Sequence, residues 1–474
     1  MRNIDVSALL AEARLNPFHL RLLFWCALII VFDGYDLVIY GVVLPSLMQE
    51  WRLSALQAGL LASCALMGMM LGALLFGPLA DRVGRRNTIT VCVVLFSGVT
   101  AVTGFADSPT QFAVLRFIAG IGIGGVMPNV IALMNEYAPQ RLRGRLIALM
   151  FTGYSVGGMA SAGLGMALIP EWGWPSVFFI AAIPLLVLPS MVRQLPESIN
   201  FLLRRGYTPR AQVLLSQVVA SYTPHTNDVL RPEAGQSDKV SIGQLFTEHR
   251  LVNTLMLWLA FCCSMLMIYG LSSWLPKLMN TAGYGTTSSI AFLLILNLGA
   301  IVGSLTGGWL ADRLGLGKVL LAFLAASGVV LAMMAIEAPA PVLYALIAAA
   351  GAGTTGAQIL ANAFAVQYYP AHIRSTGLGW AMGIGRFGAI AGPLVGASAH
   401  ALELPLHFSF LAFAVPGLIG AAAIAVFMIR LSHWHLITVD SERPVAASAS
   451  SPLPSPASVE QGTDPRLWVR PPDL

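Results

Sequence analysis

Apolar residues fill long blocks of this chain, and polar residues gather between them. Leu22–Met48, Ala58–Ala80, Ser288–Ala311 and Leu406–Ile429 are four such blocks. Each reaches the roughly 20 residues that carry an α-helix across about 30 Å of hydrocarbon. A chain in lipid must satisfy its backbone internally, so its spans are helices or a closed barrel. The blocks are almost continuously apolar rather than alternating, which selects helices. The pattern predicts twelve spans, near 22–48, 57–80, 88–106, 110–136, 145–169, 174–194, 251–276, 287–311, 318–337, 341–364, 375–400 and 406–430. An even number places both termini on one side.

The expected fold is an all-α polytopic membrane protein with two pseudo-symmetric six-helix bundles. A segment 1–21 precedes the first bundle (22–194). A linker (195–250), with a surface helix near Ile199–Ser221, joins it to the second (251–430). The tail 431–474, rich in Pro, Ser and Ala, is expected to be disordered.

Composition agrees with this outline. Hydrophobic residues make up 57% of the chain and charged ones 10%. Soluble proteins carry about 25% charged residues. Mean hydropathy is +0.75. The five cysteines all lie in apolar blocks without metal-ligand spacing, and read as small buried hydrophobes. The polar N-terminus has no apolar core before a small-residue cleavage site, so the block from Leu22 reads as a span and not a signal peptide.

The net charge of +5 is explained by placement. Basic residues crowd the ends and loops of one face, including Arg2, Arg14, Arg21, Arg82, Arg85, Arg86, Arg141, Arg143, Arg145, Arg313, Lys318, Arg374 and the whole linker. The other face has Arg52 and Lys277. The crowded face is expected to be cytoplasmic.

The halves repeat at one shift of 231 residues, as from Pro45 to Pro276. Gly77-Pro-Leu-Ala-Asp-Arg-Val-Gly84 maps to Gly308-Trp-Leu-Ala-Asp-Arg-Leu-Gly315, and Tyr137, Pro139 and Arg143 map to Tyr368, Pro370 and Arg374. One ungapped shift over so much chain indicates duplicated bundles with a site between them near mid-membrane. Asp33 maps to Ser264 and Asp36 to Met267, so the acidic pair in the first span breaks the symmetry.

Gly77-x-x-x-Asp81-Arg82-x-Gly84-Arg85-Arg86 resembles the signature loop of the major facilitator superfamily, and Gly308–Gly315 its reduced copy. Asp33-Gly34-Tyr35-Asp36, Arg116-Phe117-x-x-Gly120-x-Gly122-x-Gly124-Gly125-x-x-Pro128-Asn129 and Gly383-x-Gly385-Arg386-x-Gly388 resemble the aromatic acid:proton symporters of that superfamily. The first span looks most like that of members carrying benzoate or a hydroxybenzoate. The resemblance implies a conformational rather than a binding role for Asp81 and Asp312. Leu195-Pro196-Glu197-Ser198 resembles sugar porters, which keeps another cargo open.

Asp33 and Asp36 are i and i+3 on one helix face, with Tyr40 a turn further on. Counting from Leu22 puts both aspartates about 17–21 Å deep. An ionised aspartate at that depth costs at least about 2.5–3.5 kcal/mol. It must face a polar cavity, pair with a cation or bind a proton. No histidine lies mid-span, so a proton carrier in the core is expected to be a carboxylate. Arg386 is level with the pair but in the other half. Its guanidinium suits a substrate carboxylate, and a standing ion pair with either aspartate is the other reading. Arg116, nearer the outer end, either steers anions inward or reaches for the interface. Gln358 and Asn362, i and i+4, are expected to line the cavity. Tyr154 and Tyr269 are among the other polar groups inside spans, mostly interhelical hydrogen bonds. Glu136 is placed for a gating salt bridge with Arg141, Arg143 or Arg145. Ion pairs at the inner helix ends, around Asp81, Arg82, Asp312, Arg313 and Arg374, suit a two-state gate.

Together these residues predict a proton-coupled carrier of an aromatic carboxylate, working as a monomer. They show no nucleotide, metal or cofactor motif and no nucleic-acid partner. A carrier with another cargo and a non-transporting membrane sensor are the alternatives.

Overall fold

The computed structural model describes residues 2–219, 222–225, 228–231, 242–247, 250–336, 338–370, 373–402 and 405–441. Twelve helices are long and apolar enough to cross a membrane. We label them α1 (Pro17–Glu50), α2 (Ala55–Val83), α3 (Arg85–Thr103), α4 (Pro109–Tyr137), α5 (Arg143–Trp172), α6 (Pro175–Gln194), α7 (Leu251–Thr281), α8 (Thr286–Leu314), α9 (Leu316–Met333), α10 (Ala340–Tyr368), α11 (Arg374–Ala401) and α12 (Leu406–Ser441). Large apolar side chains such as Leu74 and Leu186 stand exposed along them, as a lipid-facing surface requires. Below, the linker face is the one where α1 begins and α6 ends; the opposite one is the far face.

Local chemistry moves several expected boundaries. α1 starts five residues before Leu22. Asn16 caps it, its side chain accepting from the His19 amide while the His19 ring holds the Asn16 amide, and Pro17 occupies the first turn. The N-terminal segment therefore ends at Asn16 rather than residue 21. α12 runs to Ser441, past the expected edge of the tail, and the rest of that tail lies outside the described residues. The expected surface helix is two shorter ones, Ile199–Arg204 and Thr208–Val218. Gly206, at φ 77°, ends the first, and Pro209 opens the second. α6 breaks at Ala181–Ala182 because Pro184 has no N–H to continue the ladder. Ser97 of α3 donates to the Ala181 carbonyl there.

The duplication is visible in packing. α1 lies on α5 as α7 lies on α11, and α2 on α4 as α8 on α10. Gly84 and Gly315, one repeat apart, turn the chain at φ 96° and 88°. Arg143 donates to the Ala138 carbonyl and Arg374 to the Tyr369 carbonyl, again one repeat apart. The halves meet where α2 touches α11, α5 touches α8 and α1 touches α7. Ser63 donates to the Ile390 carbonyl at 2.9 Å across this junction. At Gly41 a Cβ would overlap the Ser272 carbonyl, and at Gly59 it would press on Pro393 and Ala397. These approaches lie toward the far face.

On the linker face the N-terminal segment folds back over the first half. Arg2–Asp5 pairs in parallel with Asp228–Arg231, and Val6 and Leu10 join Leu202, Ala211 and Leu215 in one core.

α1 and α5 touch backbone to backbone beside Asp33. A Cβ on Gly34 would overlap the Tyr154 carbonyl oxygen, and one on Gly157 the Val31 carbonyl. Neither contact is with a flexible side chain. Gly34→Ala is therefore expected to cost about 1–3 kcal/mol, read as a lower melting temperature in detergent. An unchanged melting temperature would mean that the helices separate freely here.

Candidate functional site

The midpoint of α1 holds two carboxylates with different surroundings. Asp36, 1% exposed, faces α3 and α4. Its two carboxylate oxygens each accept from Arg116 Nη1 at 3.0 Å, and its backbone carbonyl accepts from Arg116 Nη2 at 3.0 Å. Thr100 of α3 adds a 2.5 Å bond to Oδ1. The guanidinium lies 6.0 Å from the centre of the Phe178 ring. Charge and hydrogen-bonding capacity are thus largely matched within one dry cluster.

Arg116 accordingly takes neither of its expected places. It is 1% exposed and turned inward to Asp36, not toward an anion path or the interface. The guanidinium's reach closes the gap in depth that residue counting leaves between them. Tyr40 is also committed, donating to the Ala58 carbonyl at 2.5 Å with its ring against Phe112.

Asp33 is equally buried, yet neither carboxylate oxygen has a hydrogen-bond partner among the described residues. The close α1–α5 contact at Gly34 fixes its position. Its charged neighbours are Arg386 across the bundle junction and Asp36. Arg386, on α11, is 8% exposed and donates to the Tyr269 hydroxyl of α7 at 3.4 Å. It forms no ion pair within 4.0 Å among the described residues, so the standing salt bridge with an aspartate, the alternative reading of Arg386, is absent from this state. The Tyr269 hydroxyl also meets that of Tyr154 on α5. Asp33, Tyr154, Tyr269 and Arg386 thus form a polar set drawn from α1, α5, α7 and α11, with the acid in one half and the base in the other. Gln358 and Asn362 share a face of α10 and bond each other at 3.4 Å, and Gln358 Oε1 is buried without a partner among the described residues.

The gate residues divide. Glu136 pairs with Arg85 at 2.8 Å, not with Arg141, Arg143 or Arg145, because the end of α4 faces the α2–α3 turn. It also accepts from the Ser198 hydroxyl and from the backbone and side-chain amides of Asn200. Glu197 accepts from the amides of Arg85 and Arg86 at the start of α3. Burial pushes its carboxyl up from the ordinary range, against the downward pull of the Ser198, Arg86 and Arg85 amides. The linker is so tied to the signature loop. Asp81 and Arg82 are exposed in the first copy of the signature motif and Asp312 and Arg313 at the equivalent positions of the second, with Arg313 over the Trp309 ring. Among the described residues neither aspartate makes a salt bridge, and a Cβ added at Gly77 would meet nothing within 4 Å. Thr100 escaped sequence reading, since nothing distinguishes it from any other buried threonine in a span. Ser198 and Asn200 carried no signal of a link to Glu136 either.

Residues 26–315 and 293–468 match the family model of the Major Facilitator Superfamily. The chain belongs to that superfamily. Among curated relatives, this facilitator is 43% identical over 436 residues to the benzoate transport protein of Acinetobacter baylyi, covering 90% of this chain and 93% of that one. It is 36% identical to the gallate transporter of Pseudomonas putida, covering 89% and 94%. It is 32% identical to the 4-hydroxybenzoate transporter of Acinetobacter baylyi, covering 90% and 94%. Among solved structures it shares the fold of the Escherichia coli xylose transporter XylE in a partially occluded inward-open form, with a TM-score of 0.70 at 18% identity over 87% of this chain and 98% of that one.

Proposed function

We propose that this facilitator imports an aromatic carboxylate of the benzoate or hydroxybenzoate type together with a proton, by alternating access. It works as a monomer in the plasma membrane with both termini in the cytoplasm. One observation carries the reading: a buried carboxylate, Asp33, that no donor or cation touches among the described residues, set across the bundle junction from an arginine with no acidic partner among them. Benzoate, gallate and hydroxybenzoate all join a ring to a carboxylate, and each names a cargo of a relative.

In this mechanism Arg386 grips the substrate carboxylate with its planar fork. The Tyr154 and Tyr269 hydroxyls offer hydrogen bonds beside it. Asp33 carries the proton, because protonation removes a charge that no contact compensates. The bound anion takes over the field of Arg386 that otherwise acts on Asp33, and this links the two cargoes. Asp36 serves instead as the counter-ion of Arg116. The tight far-face contacts of Gly41, Gly59 and Ser63 support a state that loads and unloads at the linker face. The crowding of arginine there supports a cytoplasmic position for it.

Uptake of labelled benzoate into vesicles holding the purified protein tests the reading. Accumulation is expected when the outside is made acidic and not when the gradient is collapsed. Accumulation indifferent to the gradient would remove the proton from the scheme. Arg386→Gln is expected to weaken benzoate binding at least about thirtyfold, the factor for losing a desolvated charge-assisted contact worth about 2 kcal/mol or more. Normal affinity in that variant would move the carboxylate elsewhere.

A further inference from the structure

A groove of about 1040 Å³ lies on the linker face, away from the mid-membrane site and independent of the transport scheme. Arg21 of α1, Arg82 of α2, Arg86 of α3 and Arg193 of α6 line it, with Arg205 and Arg210 from the linker above. The one acid in its lining is Glu197, whose Oε1 already serves the amides at the start of α3. Among the described residues none of the six arginines makes a salt bridge. Arg205 donates to the Arg82 carbonyl and lies over the Phe201 ring, and Arg210 lies over the Tyr207 ring. Among the described residues Arg86 Nε is buried without a hydrogen-bond partner. Six guanidinium groups around one carboxylate, which acts on Arg86, leave a net positive field.

The groove's position and walls narrow its partner. Four of the arginines sit at or near the ends of membrane spans, where the hydrocarbon gives way to headgroups. Val83, Val213 and Tyr207 line the same groove, and each is more than a third exposed. Phe24, 57% exposed, stands one helical turn from Arg21 on α1. Guanidinium groups beside open apolar surface at this level fit a molecule that is a phosphate at one end and hydrocarbon at the other. We infer that the groove is a binding site for the phosphate headgroup of an anionic phospholipid of the linker-face leaflet. Arg21, Arg86, Arg193 and Arg210 are its principal contacts, and its acyl chains run beside Val83, Val213 and Phe24. Occupancy offsets part of the field and clamps the linker helices to the ends of α1, α2, α3 and α6.

The full-length protein in detergent, titrated with phosphatidylglycerol and followed by native mass spectrometry and melting temperature, tests this. One tightly retained lipid and a higher melting temperature are expected. Arg21→Gln/Arg193→Gln/Arg210→Gln removes three exposed charges and is expected to weaken that binding about a hundredfold. Arg141→Gln/Arg145→Gln, on the same face but outside the groove, is expected to leave it unchanged. Arg86→Gln, tested alone, is expected to weaken it in the same direction. Phosphatidylcholine and glycerol 3-phosphate are expected to shift nothing. Undiminished binding in both groove variants overturns the site. Equal binding of phosphatidylcholine overturns its charge basis, and equal binding of glycerol 3-phosphate makes it a site for soluble phosphate esters instead.

Discussion

Asp33→Asn is expected to abolish concentrative uptake of benzoate while leaving exchange of labelled for unlabelled benzoate across the same vesicles largely intact. The substitution keeps shape and removes the ionisable group. Asp33 makes no hydrogen bond or close ion pair among the described residues, so asparagine breaks none there. Its amide can also be accommodated beside Tyr154 and Tyr269. The expected loss is in coupling: accumulation ratios under an inward proton gradient fall from well above one to about one. Exchange needs no net proton movement and reports on binding and on the conformational cycle. A variant that still concentrates benzoate against its gradient would take the proton role away from Asp33. Loss of exchange together with accumulation would instead make Asp33 part of the substrate grip.

Arg116→Leu is expected to destabilise the protein by about 3–5 kcal/mol, the range for removing one partner of a buried ion pair. Asp36 would keep its Thr100 bond but lose three contacts from the guanidinium. In detergent the variant is expected to melt well below the parent. Arg116→Leu/Asp36→Leu is expected to recover most of that loss, because an apolar pair leaves no uncompensated charge. If Asp36 is a counter-ion and not a proton carrier, the double variant also keeps gradient-driven accumulation. A double variant that is stable yet uncoupled would return Asp36 to the proton pathway.

Much of this was legible in the sequence because membrane spans are long and their costs are high. Twelve apolar blocks, one repeat shift and two aspartates in a helix that cannot cheaply hold them were enough to expect twelve spans and to single out the middle of the first as the candidate site. Arg386 could be set level with the aspartates by counting residues. The partner of Asp36 could not. Helix length measures depth along one axis, whereas pairing depends on which faces of α1 and α4 meet and on the reach of the guanidinium. Tyr154 and Tyr269 looked like other polar groups in spans, since only the packing of α5 and α7 shows that their hydroxyls meet. Glu136 was assigned to the nearest arginines along the chain, and the fold gave it Arg85 instead. The linker was harder still, because its short helices are held by contacts to α1, α3 and α4 and carry little periodicity of their own.

The repeat has a further consequence. Asp33 of the first half stands where the second has Ser264, and Arg386 of the second stands where the first has Ser155. Once the internal Arg116–Asp36 pair of the first half is set aside, each copy of the duplicated unit carries one charge without a counterpart in the other, of opposite sign. Neither copy is electrically complete without the other. A movement of one half against the other that shifts α1 relative to α11 changes the distance between these two charges, and with it the field that each imposes on the other.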